Sequence, residues 1–154
     1  MSKKRAKTGH SMQLTRFTDL GLRIVVQLAA MTAAADTPSA ATPPRTTTAA
    51  VASALGASQT HVAKVVAKLA DIGILRSTRG RTGGIYITAS ALDYPLGQLV
   101  RELEGSESIP DNFNTHCPSD HTATFQLAAS LTAAQNAFFD SLNSQTIRDI
   151  LPEV

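Results

Sequence analysis

The stretch SQTHVAKVVAKLADIG, residues 58–73, decides the fold of this chain. Ser58 is suited to cap a helix, and the apolar residues after it recur every three or four positions. They define one apolar face, formed by Val62, Val65, Val66 and Leu69, and leave Thr60, Lys64 and Lys68 on the other. The pattern predicts an amphipathic helix with a polar and basic stripe.

The residues just before this helix predict a shorter one. TTTAAVASALGAS, residues 46–58, offers Thr46 or Thr47 as a cap, and Gly56 suits the left-handed conformation that ends many helices. Two helices joined by so short a glycine-bearing turn are typical of a helix-turn-helix, whose second helix enters the major groove of DNA.

The residues just after it predict a two-stranded ribbon. In ILRSTRGRTGGIYIT, residues 74–88, Leu75, Ile85 and Ile87 occupy strand positions around a glycine-rich turn at 80–84. Arg76, Arg79 and Arg81 lie on the first strand and at the tip. A ribbon with arginines at its tip, directly after a recognition helix, is typical of a wing, and a guanidinium fits a narrow minor groove. A solvated basic hairpin is the alternative interpretation.

Charge is divided unevenly along the chain. Residues 1–81 hold 12 of the 14 Lys and Arg but 3 of the 12 Asp and Glu, whereas residues 82–154 hold 2 against 9. This distribution indicates a nucleic-acid-binding half and a separate regulatory or assembly half. Two differently solvated faces of one ordinary domain would also produce it.

The flanking segments complete a winged helix-turn-helix domain at 12–92. Residues 1–11 predict a disordered basic tail, and residues 18–31 predict a first helix with Thr18 and Asp19 as caps. A Pro/Ala-rich surface loop is expected at 33–46.

Residues 93–154 predict a linker helix that starts near Pro95, an irregular sensor-like loop at 105–121 and a long final helix. An apolar stripe on the long helix suggests that it packs against a second copy of itself, although it could also fold back on its own domain. The expected interface residues are Leu127, Leu131, Phe138 and Leu142.

These elements predict a mostly α protein with a small β-hairpin wing. One cysteine cannot form an internal disulfide, and no apolar run is expected to reach the roughly 18 residues of a membrane span. We therefore expect a cytoplasmic protein without membrane contact. It is not expected to be an enzyme, because no catalytic triad, phosphate loop or full set of metal ligands is found.

With these motifs, the chain resembles the Rrf2 family of bacterial winged-helix regulators, and LTRFTD, residues 14–19, is closer to its NsrR branch. The resemblance covers nearly everything from Met12 to Leu151. It implies a homodimer with crossing C-terminal helices that binds partly palindromic DNA. It places Thr60 and Lys64 at the major groove and Arg79 in the minor groove.

The same resemblance raises the question of an iron–sulfur cluster. Sensors of this family hold one with three loop cysteines, and NsrR-like members add an aspartate from the partner subunit. Here Asp19 and Cys117 match the aspartate and the middle cysteine, whereas the outer cysteines fall on Asn112 and near Phe125. Clusters need mostly thiolate ligands, so we expect no cofactor and keep thiol sensing at Cys117, or a metal site there, as alternatives.

The sequence thus predicts a homodimeric DNA-binding regulator of transcription. We expect it to be a repressor that binds double-stranded operator DNA. The expected DNA contacts are Thr47, Ser58, Gln59, Thr60, His61, Lys64, Lys68, Arg76, Arg79 and Arg81. One alternative is a repressor of the NsrR type that senses nitric oxide or redox state through a cluster or a thiol. Another is a winged-helix module that binds proteins, which would favour an apolar or acidic stripe at residues 58–70.

Overall fold

The computed structural model describes residues 14–34, 43–105 and 121–152. The expected basic tail, the middle of the Pro/Ala-rich loop and nearly all of the sensor-like loop, with Cys117, lie outside these residues. The helices are α1 (Arg16–Ala34), α2 (Thr48–Leu55), α3 (Gln59–Asp71), α4 (Leu96–Glu104) and α5 (His121–Leu142), and the strands are β1 (Leu75–Thr78) and β2 (Gly84–Ile87). Short 3₁₀ helices lie at Ala89–Asp93 and Arg148–Ile150. The predicted mostly α fold with a β-hairpin wing is confirmed.

Helix α1 is the centre of the core. Ile24, Val25 and Leu28 are buried on it, and they pack in one cluster with residues of α3, α4 and β2. Burying one such side chain contributes about 1.5–3 kcal/mol, so this cluster dominates the stability of the domain. Val26 is 38% exposed beside α2, because the core occupies only one side of the helix.

The start of α1 differs from the prediction. Thr18 was expected to cap the helix, but it lies inside it and is fully buried. The hydroxyl oxygen of Thr15 accepts the backbone N–H of Thr18 at 3.2 Å, and a carboxylate oxygen of Glu104 accepts the backbone N–H of Thr15 at 2.8 Å. Thr15 therefore caps α1, and the end of α4 is tied to this cap. The expected loop at 33–46 also begins late, since α1 continues to Ala34.

By length and composition alone, α1 is apolar enough to cross a membrane. This contradicts the expectation that no apolar segment reaches the length of a membrane span. The core helix of a soluble domain meets the same criteria, and the buried residues of α1 face protein elements on α3, α4 and β2.

The caps of the helix-turn-helix agree with the prediction. Thr47 accepts the backbone N–H of Ala50 at 3.1 Å, and Ser58 accepts that of His61 at 3.2 Å. Gly56 ends α2 with a φ of 61°, in the left-handed region that glycine adopts without steric cost. The turn between α2 and α3 is short for this reason.

The wing is an antiparallel hairpin in which Leu75 pairs with Ile87 and Thr78 with Gly84. Leu75, Ile85 and Ile87 occupy strand positions, as predicted, and all three side chains are buried in the core. Thr46, in the segment before α2, forms two backbone hydrogen bonds with Ile85, at 3.0 and 2.7 Å. The wing is thus widened, one residue pair from its tip end, by a third, single-residue strand position.

The C-terminal end of the chain holds α5 against α4. The backbone N–H of Ile147 donates to the carbonyl of Tyr94 at 3.1 Å, and that of Leu96 donates to Gln145 at 2.9 Å. Ile147 is fully buried in the domain core. Helix α4 starts near Pro95, as predicted, and Pro95 is the residue just before its first turn. We call residues 143–151, which make these contacts, the C-terminal clip.

Asp149 stabilises the clip locally. The backbone N–H and the hydroxyl of Thr146 both donate to its carboxylate, each at 2.8 Å, and these two bonds lower the pKa of Asp149. A lowered carboxyl pKa contributes stability above the unfolded-state value, and that contribution is lost as the pH falls through the folded-state value.

The closest approach of α4 to α5 occurs at Gly97. A Cβ atom there would overlap the carbonyl oxygen of Phe139 and lie 2.6 Å from the side-chain oxygen of Asn143. We therefore expect Gly97→Ala to lower the free energy of unfolding by about 1–3 kcal/mol, because overpacked cores must shift. Urea unfolding at fixed protein concentration measures this. Gln98→Ala, at an exposed neighbouring position, is the control, and equal midpoints for both variants would contradict the predicted close packing.

Candidate nucleic-acid interface

Helix α3 turns one face to the core and leaves the other free. Val62, Val65 and Leu69 are buried, so the polar stripe must point outward. The exposed residues at its N-terminal end are Gln59, Thr60, His61 and Lys64. The structure therefore brings these four predicted contacts together on one surface.

The N-terminal half of this surface is the part best suited to DNA. The helix dipole places partial positive charge at the N-terminus, where backbone N–H groups attract phosphate. Ala63 and Ala67 are exposed beside Lys64, and their small side chains leave room for a groove wall. Asp71 closes the other end with a negative charge, which disfavours phosphate there.

The three predicted wing arginines are all exposed. Arg76 lies on β1 opposite Tyr86, and Arg79 and Arg81 lie in the connection between the strands. The backbone N–H of Gly83 donates to the carbonyl of Gly80 at 2.9 Å and closes a tight turn around Arg81. A ribbon that is narrow at its tip and carries guanidinium groups there is suited to enter a minor groove.

Some predicted contacts also have structural roles, and of these the sequence did not indicate the ion pair of Lys68. The Lys68 ammonium lies 3.3 Å from a carboxylate oxygen of Glu102, and both side chains are half-buried. This ion pair links α3 to α4 and directs the Lys68 charge toward α4. Thr47 and Ser58 use their side-chain oxygens as helix caps, although both residues remain exposed.

Sequence reasoning missed Arg45. Its guanidinium Nη1 donates to the carbonyl of Thr82 at 3.2 Å and lies over the ring of Tyr86, with 5.4 Å from its Cζ to the ring centroid. The residue belongs to the Pro/Ala-rich segment, where no pairing with the wing was expected. A Thr-rich stretch before α2 was the available signal, because β-branched residues favour strand positions.

Helix α5 has two different apolar faces. Ala128 and Phe139 are buried, and Leu142 packs against the core of its own domain. Leu127 and Leu131 are 50% and 37% exposed, whereas Phe138 is half-buried. One face thus folds back on the domain, as one interpretation of the sequence expected, and an adjacent face is exposed in the described structure. Packing of that face against a second copy stays a prediction. Leu142, expected in the dimer interface, contributes to the core of its own chain.

Of the two metal candidates, Asp19 and Cys117, the structure describes only Asp19. Asp19 is exposed, and its Oδ2 lies 3.0 Å from Nε of Arg23, one helical turn further along. No group of three or more His, Cys, Asp and Glu side chains suited to a metal occurs within residues 14–34, 43–105 and 121–152. Cys117 lies outside the described residues.

Helices α2 and α3 each bury one face in the core, and α3 exposes a basic face beside an arginine-tipped ribbon. This arrangement defines a winged helix-turn-helix regulator of transcription. The chain belongs to the Rrf2 family, because the family model described as an iron-dependent transcriptional regulator matches residues 14–153. The expected family resemblance is therefore confirmed.

The relatives agree with this class. The chain is 35% identical over 144 residues to the HTH-type transcriptional repressor NsrR of Streptomyces coelicolor, covering 91% of this chain and 88% of the relative. The fold is similar to that of CymR, the global cysteine regulator of B. subtilis, with a TM-score of 0.63, 20% identity and coverage of 91% and 96% of the two chains. It is also similar to T. potens IscR, with a TM-score of 0.64, 19% identity and coverage of 91% and 86%. The relatives are regulators and not enzymes, so that prediction is confirmed as well.

The donor set of this chain does not fit an iron–sulfur cluster. Such clusters are held chiefly by cysteine thiolates, and this sequence contains one cysteine. Asp19, the matching carboxylate, already pairs with Arg23. No chemical step through a cluster follows from these residues.

The contrast between two lysines on one helix gives a test of the interface. We expect Lys64→Ala to cost about 1–3 kcal/mol of binding free energy on a preferred DNA sequence, because the residue is exposed and its ammonium can reach base edges. Lys68→Ala removes the same charge from the same helix and is the matched control. It should chiefly lose its ion pair with Glu102, worth about 0.2–1 kcal/mol of folding stability.

Fluorescence anisotropy on preferred and random duplexes measures both variants. Equal losses for Lys64→Ala and Lys68→Ala, or equal losses of Lys64→Ala on both duplexes, would contradict base reading by Lys64.

Proposed function

We propose that the chain is a cytoplasmic, homodimeric repressor that binds partly palindromic operator DNA. The observation that carries this proposal is the exposure of the cations of α3 and of the wing, two elements that pack against each other. Lys64, Arg76, Arg79 and Arg81 are all exposed there, while the opposite face of α3 is buried. Affinity comes from counterion release by these cations, and sequence reading comes from Thr60 and Lys64 in the major groove and Arg79 in the minor groove.

The uncovered face of α5 supports the homodimer. Leu127, Leu131, Ala134 and Phe138 follow one another at intervals of four, three and four residues, which places them along one side of the helix. Exposed leucines in a row favour burial against a partner. A second copy of α5 offers the same stripe, and a two-fold interface of this kind matches a DNA site with two-fold symmetry.

Repression is supported by the relative that is 35% identical to this chain. The NsrR protein of Streptomyces coelicolor is named a transcriptional repressor, and its similarity extends over the helix-turn-helix, the wing and α5. A dimer that covers a promoter on both half-sites blocks access to it without any further activity. The alternative of a winged protein-interaction module is disfavoured, because the exposed face of α3 is basic over its first turns and not apolar or acidic.

Selection of bound duplexes from random-sequence DNA tests the function as a whole. The wild-type chain should enrich an inverted repeat with half-sites separated by about one helical turn. Enrichment of a single half-site would argue against the dimer, and the absence of any enriched sequence would contradict an operator-binding function.

The dimer is tested by Leu131→Asp. This side chain is exposed in the single chain, so the substitution should leave the fold intact while placing a charge in the interface, and monomers should result. Ala133→Asp puts the same charge on the opposite, exposed side of α5 and is the control. Multi-angle light scattering reads the mass, and an unchanged dimer for Leu131→Asp would show that α5 packs elsewhere.

We further propose that the chain works without an iron–sulfur cluster, and this alternative to the family's usual sensing rests on the single cysteine. Protein purified without oxygen should be colourless, and Cys117→Ser should bind DNA as the wild type does under reducing conditions. Visible absorption with about one cluster of iron per chain, lost in Cys117→Ser, would contradict this. Loss of binding on peroxide treatment in the wild type alone would instead assign thiol sensing to Cys117.

A further inference from the structure

Arg45 contacts the wing in ways that a phosphate-binding side chain would not need. One guanidinium nitrogen donates to the carbonyl of Thr82, and the guanidinium lies over the ring of Tyr86. Its neighbour Thr46 forms two backbone hydrogen bonds with Ile85. Side chain and backbone thus hold the same ribbon from one side.

The carbonyl that Arg45 holds belongs to the turn at the tip. Thr82 follows Arg81 within the turn that the hydrogen bond from Gly83 to Gly80 closes. Arg79 immediately precedes this turn. Arg45 is therefore hydrogen-bonded to the turn that carries Arg81 and follows Arg79.

The segment around Arg45 is pressed closely onto the ribbon. A Cβ atom on Gly84 would lie 2.6 Å from the carbonyl oxygen of Thr46 and 3.3 Å from Cβ of Arg45. Only glycine at position 84 permits this approach. The contact therefore involves the backbone of the wing and not only surface side chains.

A wing of this size needs such support. The hairpin has four residue pairs, and an isolated two-stranded hairpin is marginally stable in water. Ordering a backbone residue costs about 1–2 kcal/mol, and a tip ordered before binding does not incur that cost on the DNA. A clamp on the tip turn therefore favours binding without touching DNA itself.

We propose that Arg45 is a positioning residue for DNA recognition, which fixes the wing turn so that Arg79 enters the minor groove in one orientation. The proposal rests on the proposed function, because it needs a wing that reads DNA. Arg45 acts through Arg79 and Arg81 and not through a phosphate contact of its own.

A double-mutant cycle of Arg45→Met and Arg79→Ala tests this, with the selected inverted repeat and a random duplex as probes. Arg45→Met alone should weaken binding to the repeat about fivefold, which corresponds to the roughly 1 kcal/mol net contribution of one hydrogen bond, and weaken random binding less. In the Arg79→Ala background, Arg45→Met should have little further effect, because the residue it positions is gone. Additive losses, with a shallower salt dependence for Arg45→Met, would show a direct phosphate contact and overturn the proposal.

Arg45→Lys separates shape from charge. Lysine keeps the positive charge but lacks the planar group that stacks on Tyr86 while it donates to Thr82. Affinity for the repeat should therefore remain close to that of Arg45→Met. Full recovery with lysine would mean that charge alone matters, and would also overturn the proposal.

Amide hydrogen exchange in the free protein gives a reading that needs no DNA. The N–H groups of Gly83 and Ile85 are hydrogen-bonded in the wing, and both should exchange about tenfold faster in Arg45→Met, while the amides of α3 stay unchanged. Unchanged exchange at Gly83 and Ile85 overturns the positioning role whatever the DNA results. Faster exchange in a chain whose wild type selects no DNA would instead contradict the proposed function.

Discussion

Burial of one face of α3 against α1 is the constraint on which the rest of the structure depends. Val62, Val65 and Leu69 have no exposed surface to speak of, and they pack with Ile24 and Leu28 of α1. Because a helix has a fixed period, burying these residues fixes the direction of Thr60 and Lys64. The basic surface is therefore a consequence of the core, and a rotated α3 would cost several buried apolar side chains.

The same core determines the position of α5 relative to α3. Helix α4 packs on α1, and α5 is held on α4 at Gly97 and by the C-terminal clip around Ile147. The uncovered stripe of α5 and the DNA surface of α3 are thus connected through closely packed helices and not through a loose linker. In a dimer formed by α5, this connection would set the distance between the two recognition helices, and with it the spacing of the half-sites.

Regular periodicity made much of this predictable. The alternation of Val62, Val65 and Leu69 with Thr60 and Lys64 is a local pattern, and local patterns determine which face of a helix is buried. Caps such as Ser58 and Gly56 were equally visible, because they depend on residue type at a single position. The DNA contacts proposed from the sequence are exposed in the structure, except that Lys68 is half-buried and pairs with Glu102.

Contacts between distant segments were not predictable in this way. Thr15 replaced Thr18 as the cap of α1 because Glu104, 89 residues away, completes the site. Arg45 reached the wing through pairing of Thr46 with Ile85, which no spacing within either segment indicates. Leu142 belongs to the apolar stripe of α5, but its side chain packs against the core of its own domain. In each case the deciding neighbour is set by tertiary packing.

The central claim is that the outward face of α3 and the wing form one electrostatic surface for duplex DNA. The most direct measurement is the affinity for a selected duplex across a salt series, for the wild type and for a variant with Arg76, Arg79 and Arg81 all changed to alanine. The account predicts a steep fall of affinity with salt for the wild type and a clearly shallower slope for the variant, since each lost phosphate contact removes about one unit of slope. A flat dependence for the wild type, or the same slope for both proteins, would contradict it.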